Sequence, residues 1–165
     1  MTLPRRLRAA GIIIAASLAA AIGPAAEAQN PMPPAGCTGP ASATWVNIVA
    51  DGLRSGNGQL AVTLYADNSR KFLVRHGSMY VGRVSAIAGS TRACIFLPQP
   101  GVYVLALYHD ENGNQSFDRS AIGFPQEGYG FSNNPATLAG LPSFRSVRLN
   151  VASTGLTTRV HMKYP

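Results

Sequence analysis

The sequence contains few of the residues on which common enzyme and nucleic-acid-binding sites depend. Its three histidines have no metal-ligand spacing, and no serine lies in the sharp-turn motif of hydrolase nucleophiles. Arginine-rich blocks with interleaved aromatic residues are absent, so no nucleic-acid partner is expected. Amphipathic helical patterns are missing as well. These absences leave a β-rich chain without an evident catalytic group.

Long apolar runs are missing except near the start of the chain. Three arginines precede an Ala- and Ile-rich run over residues 9–26, and Ala26-Glu27-Ala28 is a small-x-small cleavage site. These features predict a signal peptide over residues 1–28 that is cleaved after Ala28. The alternative is a membrane anchor, but glycine, serine and proline interrupt the run, and spanning requires about 20 apolar residues. We therefore expect a periplasmic or secreted protein with no transmembrane segment after cleavage.

Acidic residues are scarce. Without residues 1–28 the chain has 11 Lys+Arg and 6 Asp+Glu, which gives a net charge of +5. The basic residues are scattered, as is typical of a solvated surface. The charge favours, at most, a weak association with an anionic envelope surface.

Cysteine is limited to Cys37 and Cys94. Because an exported chain meets an oxidising compartment, the pair predicts a disulfide, and two free thiols are the alternative. The bridge would tie a Pro/Gly-rich lead-in over residues 29–43 to a strand predicted over residues 92–97.

Alternation of apolar and polar residues dominates residues 44–165 and predicts a single all-β domain. Two strands and the turn at residues 55–58 predict a hairpin over residues 44–66. Five further strands are expected over residues 80–87, 92–97, 102–109, 146–151 and 156–164. About seven short strands with almost no helix are typical of an antiparallel β-sandwich.

The aperiodic stretch over residues 110–143 is too long for an ordinary connection. It is rich in aromatic residues that gain by burial, which predicts an ordered loop cap on the sandwich. The cap includes a Gly-, aromatic- and Asn-rich motif, for which we weigh a ligand-facing surface against a purely structural role. Its residues are Glu127, Gly128, Tyr129, Gly130, Phe131, Ser132, Asn133 and Asn134.

The start of this stretch, Asp110–Asp118, has the spacing of a calcium-binding loop. Oxygen-bearing groups occupy positions 1, 3, 5, 7 and 9, as in an EF-hand: Asp110, Asn112, Asn114, Ser116 through its carbonyl, and Asp118. Gln115 stands where an EF-hand has glycine, and the glutamate of position 12 is replaced by Ala121. Glu127 is the candidate for a sixth ligand. A turn closed by its own Asx hydrogen bonds is the alternative.

Four groups of residues resemble one bacterial family: LPxPGxY from Leu97, HDENGN from His109, GxPxEGYGFSNN from Gly123 and PSF from Pro142. Over residues 44–164 the chain thus resembles the secreted family called domain of unknown function 2141. The resemblance implies an exported β-sandwich of the transthyretin-like or carboxypeptidase-regulatory-like kind, with no established activity. The family's loop usually continues HDENGNG, so this chain departs from it at Gln115.

Two functions fit these features. The first is an exported, non-enzymatic binding or structural module of unknown ligand, stabilised weakly by calcium. The second is an envelope polysaccharide hydrolase whose acid/base pair comes from Asp110, Asp118 and Glu127. Two carboxylates about 5–10 Å apart in an open cleft would favour the hydrolase. Oxygens that converge on one point would favour the module.

Overall fold

The computed structural model describes residues 32–165, which fold into eight strands and one short helix. The strands are β1 (Thr44–Leu53), β2 (Gln59–Ala66), β3 (Tyr80–Ser85), β4 (Gly89–Leu97), β5 (Gly101–Asp110), β6 (Gly128–Phe131), β7 (Arg148–Val151) and β8 (Leu156–His161), with helix α1 (Phe144–Val147) between β6 and β7. The predicted signal peptide lies outside the described residues. Among residues 32–165, no helix has both the length and the apolar character needed to cross a membrane.

The strands form two sheets that pack together as a β-sandwich. In the three-stranded sheet, β1 lies between β4, which is antiparallel to it, and β8, which is parallel to it. In the five-stranded sheet, β2 lies between β3 and β5. The other edge of β5 is shared, since β7 pairs with residues 101–104 and β6 with residues 106–109. The predicted all-β, largely antiparallel sandwich is confirmed, with one strand more than expected.

Alternate residues of the strands build the core between the sheets. The side chains at its centre are at most 2% exposed: Val46, Ile48, Ala50, Leu60, Val62, Leu64, Ile95, Leu97, Leu105, Leu107 and Val160. Each fully buried leucine, isoleucine or valine contributes about 1.5–3 kcal/mol relative to an exposed one. This inner core fixes which face of every strand points inward.

A second apolar cluster covers the outer face of the five-stranded sheet. It joins Tyr65, Val104, Ala106, Phe131 and Val147 with the half-buried rings of Phe72, Tyr129 and Phe144. These rings come from the connection after β2 and from the segment over residues 128–147. The predicted cap is therefore present. It is not made of loop alone, because it contains strand β6, which pairs with β5 and extends the five-stranded sheet.

The predicted hairpin over residues 44–66 is wrong, because β1 and β2 belong to different sheets. The turn at residues 55–58 instead connects one sheet to the other, and it packs against the end of β5. An added Cβ on Gly58 would lie 1.9 Å from the carbonyl oxygen of Asp110. Turn residues and alternation are local features, and they do not specify which strand becomes the hydrogen-bonded neighbour.

The lead-in to the domain is fixed to the outer edge of β4. The N–H of Thr38 donates to the carbonyl of Cys94 at 2.9 Å, and the N–H of Phe96 donates to the carbonyl of Thr38 at 2.9 Å. Next to these two hydrogen bonds, Cys37 and Cys94 pair as a disulfide with their Cα atoms 4.4 Å apart. The two cysteines are therefore paired as the sequence predicted.

Candidate functional site

The acidic loop begins where β5 ends. Strand β5 is the most apolar segment after residue 28, and its last residue, Asp110, is 0% exposed. Its Oδ2 accepts the N–H of Gln115 at 2.9 Å. Its Oδ1 is buried and has no hydrogen-bond partner in the described protein. Burial of a carboxylate oxygen without a hydrogen-bond partner costs free energy. No group of the described protein offsets this cost at Asp110 Oδ1.

The two asparagines of the loop form consecutive Asx turns. Oδ1 of Asn112 accepts the N–H of Asn114 at 3.0 Å, and Oδ1 of Asn114 accepts the N–H of Ser116 at 2.8 Å. Their Nδ2 atoms donate to Asp118, at 2.7 Å from Asn112 and 3.1 Å from Asn114. The loop therefore has the internal Asx hydrogen bonds that the sequence offered as an alternative to metal binding.

Gln115 adopts a backbone conformation that normally requires glycine. Its φ is +63°, in the left-handed region. Its carbonyl accepts the hydroxyl of Tyr108 at 3.1 Å and Nη2 of Arg83 at 3.2 Å. These two hydrogen bonds stabilise the left-handed backbone conformation at a residue that is not glycine. Sequence reasoning did not identify either donor, because both lie on the neighbouring strands.

Glu127 comes from outside the loop and closes it. This residue is 5% exposed, and its Oε2 accepts the N–H of Asp118 at 3.1 Å. Its Oε1 is buried and has no partner among the described residues. Burial raises the pKa of the Glu127 carboxyl, and the negative charges of Asp118 and Asp110 raise this pKa further, whereas the hydrogen bond from the Asp118 N–H partly opposes the rise. The structure thus places Glu127 beside the loop, where its carboxylate contacts the Asp118 backbone and is affected by the charges of Asp118 and Asp110.

The fourth acidic residue of this region has partners of its own. Glu111 accepts Nε of Arg54 at 2.9 Å and the hydroxyl of Ser55 at 2.8 Å, and the Arg54 hydrogen bond lowers its pKa. The guanidinium of Arg54 also lies over the ring of Tyr164 at 4.6 Å. Glu111 therefore anchors the loop to the turn after β1 and is not available as a ligand.

Within residues 32–165, no three side chains of the His, Cys, Asp and Glu types are grouped so that they could hold a metal ion together. Any cation at the loop would need the amide oxygens of Asn112 and Asn114 or backbone carbonyls as well. At present the amide nitrogens of both asparagines face Asp118. Metal binding would therefore require these two amides to reorient.

The motif over residues 127–134 has structural roles. Gly128 and Gly130 face inward, where an added Cβ would lie 2.4 Å from the Tyr164 ring and 2.6 Å from Val160. Tyr129 and Phe131 face outward into the second apolar cluster. The glycines are thus needed for the close approach of β6 to Val160 and Tyr164.

The asparagines that end the motif connect it to both sheets. Nδ2 of Asn133 donates to the carbonyl of Arg148 at 2.8 Å. Asn134 accepts the N–H of His161 at 2.7 Å and donates to the carbonyl of Arg159 at 3.0 Å. Both asparagines have positive φ, at +66° and +50°. This pair therefore turns the chain and partly covers the free edge of β8.

A small aromatic groove lies beside the acidic loop, on the outer face of the five-stranded sheet. It has a volume of about 120 Å³. Thr63 and Ala106 lie at its base, while Phe117 and Arg119, on either side of Asp118, line one wall. Its lining contains no carboxylate.

The fold and the loop define the class of the protein: a β-sandwich domain with a carboxylate- and asparagine-rich loop at one end. A family model described as "Uncharacterized protein conserved in bacteria (DUF2141)" matches residues 48–159. The chain belongs to this family, as the sequence motifs indicated. No curated protein and no solved structure is significantly similar to it.

Proposed function

We propose that this protein is an exported, non-enzymatic binding module whose acidic loop is stabilised by calcium. One observation carries the calcium part of the proposal. Asp110 Oδ1 and Glu127 Oε1 are buried, have no partner in the described protein, and belong to carboxylates that repel each other and Asp118. A divalent cation between them would remove the repulsion and supply the missing partner.

The oxygen-bearing groups of the loop and Glu127 favour calcium over other biological cations. The carboxylates of Asp110, Asp118 and Glu127, the amide oxygens of Asn112 and Asn114, and the carbonyl of Ser116 are all hard oxygen donors, and calcium takes 6–8 of them. Soft ligands of the kind that zinc and copper prefer are absent from the loop. Because two ligands are neutral and both amides must reorient, we expect a dissociation constant of about 10⁻⁴–10⁻³ M, as in extracellular modules.

Export is supported by the start of the chain and by the disulfide. The arginines, apolar run and Ala26-Glu27-Ala28 site have the order of a signal peptide. A Cys37–Cys94 bridge is stable in a periplasmic or extracellular compartment. Intact-mass analysis of the exported protein should find a chain that begins at Gln29. Recovery of the full-length chain from the membrane would contradict this expectation.

The hydrolase alternative receives no support from the position of the carboxylates. Asp110 and Glu127 are 0% and 5% exposed, whereas an acid/base pair must contact substrate. The aromatic groove next to them is lined without a carboxylate. We therefore favour a role in cation binding over catalysis for these carboxylates, together with the amide and carbonyl oxygens of the loop.

Thermal unfolding with and without calcium tests the proposal. At a free calcium concentration ten times the dissociation constant, mass action stabilises the fold by about 1.4 kcal/mol. For a domain of this size, we expect the melting temperature to rise by about 5 °C relative to protein in chelator. Magnesium should have a much smaller effect, because it requires stricter octahedral geometry.

Two isosteric variants identify the site. Asp110→Asn and Glu127→Gln should abolish the calcium-dependent rise in melting temperature. Glu127→Gln should also stabilise the calcium-free protein at pH 7, since it removes one of three repelling charges. Asp67→Asn, which neutralises an exposed carboxylate paired with Arg148, is the control and should retain the calcium response. Identical melting of the parent protein in calcium and in chelator would refute the proposal.

A further inference from the structure

The aromatic groove combines a small-residue base with a ring of large side chains. Outward-facing residues of β2, β5 and β6 form a concave surface, because Thr63 and Ala106 are short. Aromatic rings surround this base: Tyr65, Tyr108, Phe117, Tyr129 and Phe131. A cavity of about 150 Å³ with apolar walls accommodates benzene. The volume here, about 120 Å³, fits one phenyl group or a short alkyl chain.

One arginine is among the residues that line this mainly apolar groove. Arg119 lines the groove, its guanidinium lies 4.9 Å from the centre of the Phe117 ring, and its Nη1 donates to the carbonyl of Gly123 at 2.8 Å. Among residues 32–165, no carboxylate forms an ion pair with it. Its charge is therefore fixed in orientation and available to a ligand.

The connection that contributes Leu73 to the groove carries further positive charge. Leu73 reaches the groove from the connection between β2 and β3, which also carries exposed Arg70, Lys71 and Arg75. None of these three residues is ion-paired within the described chain. Basic side chains around a cleft of low polarity attract anions and repel cations.

The backbone of the connection between β2 and β3 is strained at Leu73, the residue that lines the groove. Leu73 has φ +55°, a left-handed conformation that is uncommon for leucine. Such conformations persist where the surrounding structure enforces them, and they are enriched at ligand-contacting segments. Leu73 lines the groove together with Phe117 and Arg119.

We propose that the groove binds a small amphiphilic anion: a carboxylate that carries a phenyl group or a short alkyl chain. The apolar part lies among the aromatic rings above Thr63 and Ala106, and the carboxylate accepts hydrogen bonds from Arg119. The inference deepens the proposed function and rests on it, because Phe117 and Arg119 flank Asp118, and calcium at the loop would fix both positions.

Three probes separate the contribution of the aromatic rings from that of the positive charge. Phenylacetate carries ring and charge, phenylacetamide keeps the ring without the charge, and acetate keeps the charge without the ring. Calorimetric or NMR titration at millimolar concentration should detect saturable binding of phenylacetate, binding of phenylacetamide that is weaker by about tenfold, and none of acetate. Equal affinity for phenylacetate and its amide, or no saturable binding of phenylacetate, would overturn the proposal.

Two arginine variants locate the anion. Arg119→Gln should reduce the preference for phenylacetate over phenylacetamide to about one, because it removes only the charge-assisted contact. Arg145→Gln, which changes an exposed arginine on α1 outside the groove lining, should leave the preference intact. An unchanged preference in Arg119→Gln would contradict the assigned role.

Titrations in calcium and in chelator keep the two proposals apart. We expect tighter phenylacetate binding in calcium. If calcium stabilises the fold but phenylacetate does not bind in either condition, the groove proposal fails and the calcium site stands. If phenylacetate binds equally in both conditions and calcium changes no melting temperature, the calcium proposal fails and the groove stands without it.

Discussion

Gln115 illustrates how a single residue sets the shape of the acidic loop. It occupies a left-handed position, where glycine is the favoured residue, and its carbonyl is held by Tyr108 and Arg83. A side chain branched at Cβ is much less compatible with φ near +63° than an unbranched one. The loop therefore tolerates glutamine by means of contacts that lie outside the loop.

Substitution at this position should separate backbone strain from side-chain chemistry. We expect Gln115→Val to destabilise the protein by about 1–3 kcal/mol, since valine is strained at positive φ. Gln115→Gly should be close to neutral, because relief of strain offsets the greater freedom of glycine in the unfolded chain. Denaturant unfolding of both variants provides the comparison. Equal stability of the valine and glycine variants would show that positive φ is unimportant here.

The loop residues could be predicted from the sequence, but the closure of the loop could not. The spacing of Asp110, Asn112, Asn114 and Asp118 identified a loop rich in oxygen ligands, and the Asx turns follow from local chemistry. Glu127 could be named only as a candidate, since its position depends on the pairing of β6 with β5. Arg54 and Arg83 were not identified, because nothing local in their segments indicates the carboxylate or carbonyl that they contact.

At the scale of the element, β6 shows why one strand was missed. Its sequence is Gly-Tyr-Gly-Phe, so glycines stand at the inward positions where a strand normally shows apolar side chains. The tight contact with β8 and Tyr164 excludes any larger residue there. Close packing thus removed the alternation by which strands are recognised in a sequence.

The same contact predicts the effect of adding a methyl group to β6. An added Cβ on Gly130 would lie 2.6 Å from Cγ1 of Val160 and 3.1 Å from the carbonyl oxygen of His161. Gly130→Ala should therefore destabilise the fold by about 1–3 kcal/mol through overpacking. Gly101→Ala is the matched control, since its nearest contact is an ordinary 3.5 Å to the Tyr103 ring. Thermal melts in which both variants match the parent would contradict the proposed close approach.

The pairing of strands was the main feature that sequence patterns left undetermined. Alternation located β1, β2, β4 and β5 within a few residues, because each has a face in the inner core. The partner of each strand depends on the whole sandwich, so the segments on either side of the turn at residues 55–58 joined different sheets. Local signals thus predicted the fold class and the number of layers, but not the topology.

At the scale of the whole molecule, the disulfide connects the lead-in to the three-stranded sheet. It closes a loop with a sequence separation of 57 residues, for which chain entropy predicts about 4 kcal/mol of stabilisation. Replacing both cysteines by serine should lower the free energy of unfolding by up to about that amount. Denaturant unfolding with and without reductant should reproduce the difference in the parent protein. No change on reduction would mean that the bridge does not constrain the unfolded chain.

The parallel pair in the small sheet has a consequence for the order of folding. Among the strands of residues 32–165, β1 comes first, yet one of its two neighbours is β8, which comes last. Until β8 arrives, one edge of β1 has unpaired N–H and C=O groups and an apolar face that few residues cover. Contacts between segments so distant in the chain form slowly, because a large loop must close before they are gained. Folding is therefore completed only by the carboxyl-terminal strand, and the opening strand is the part of the chain exposed longest to intermolecular pairing.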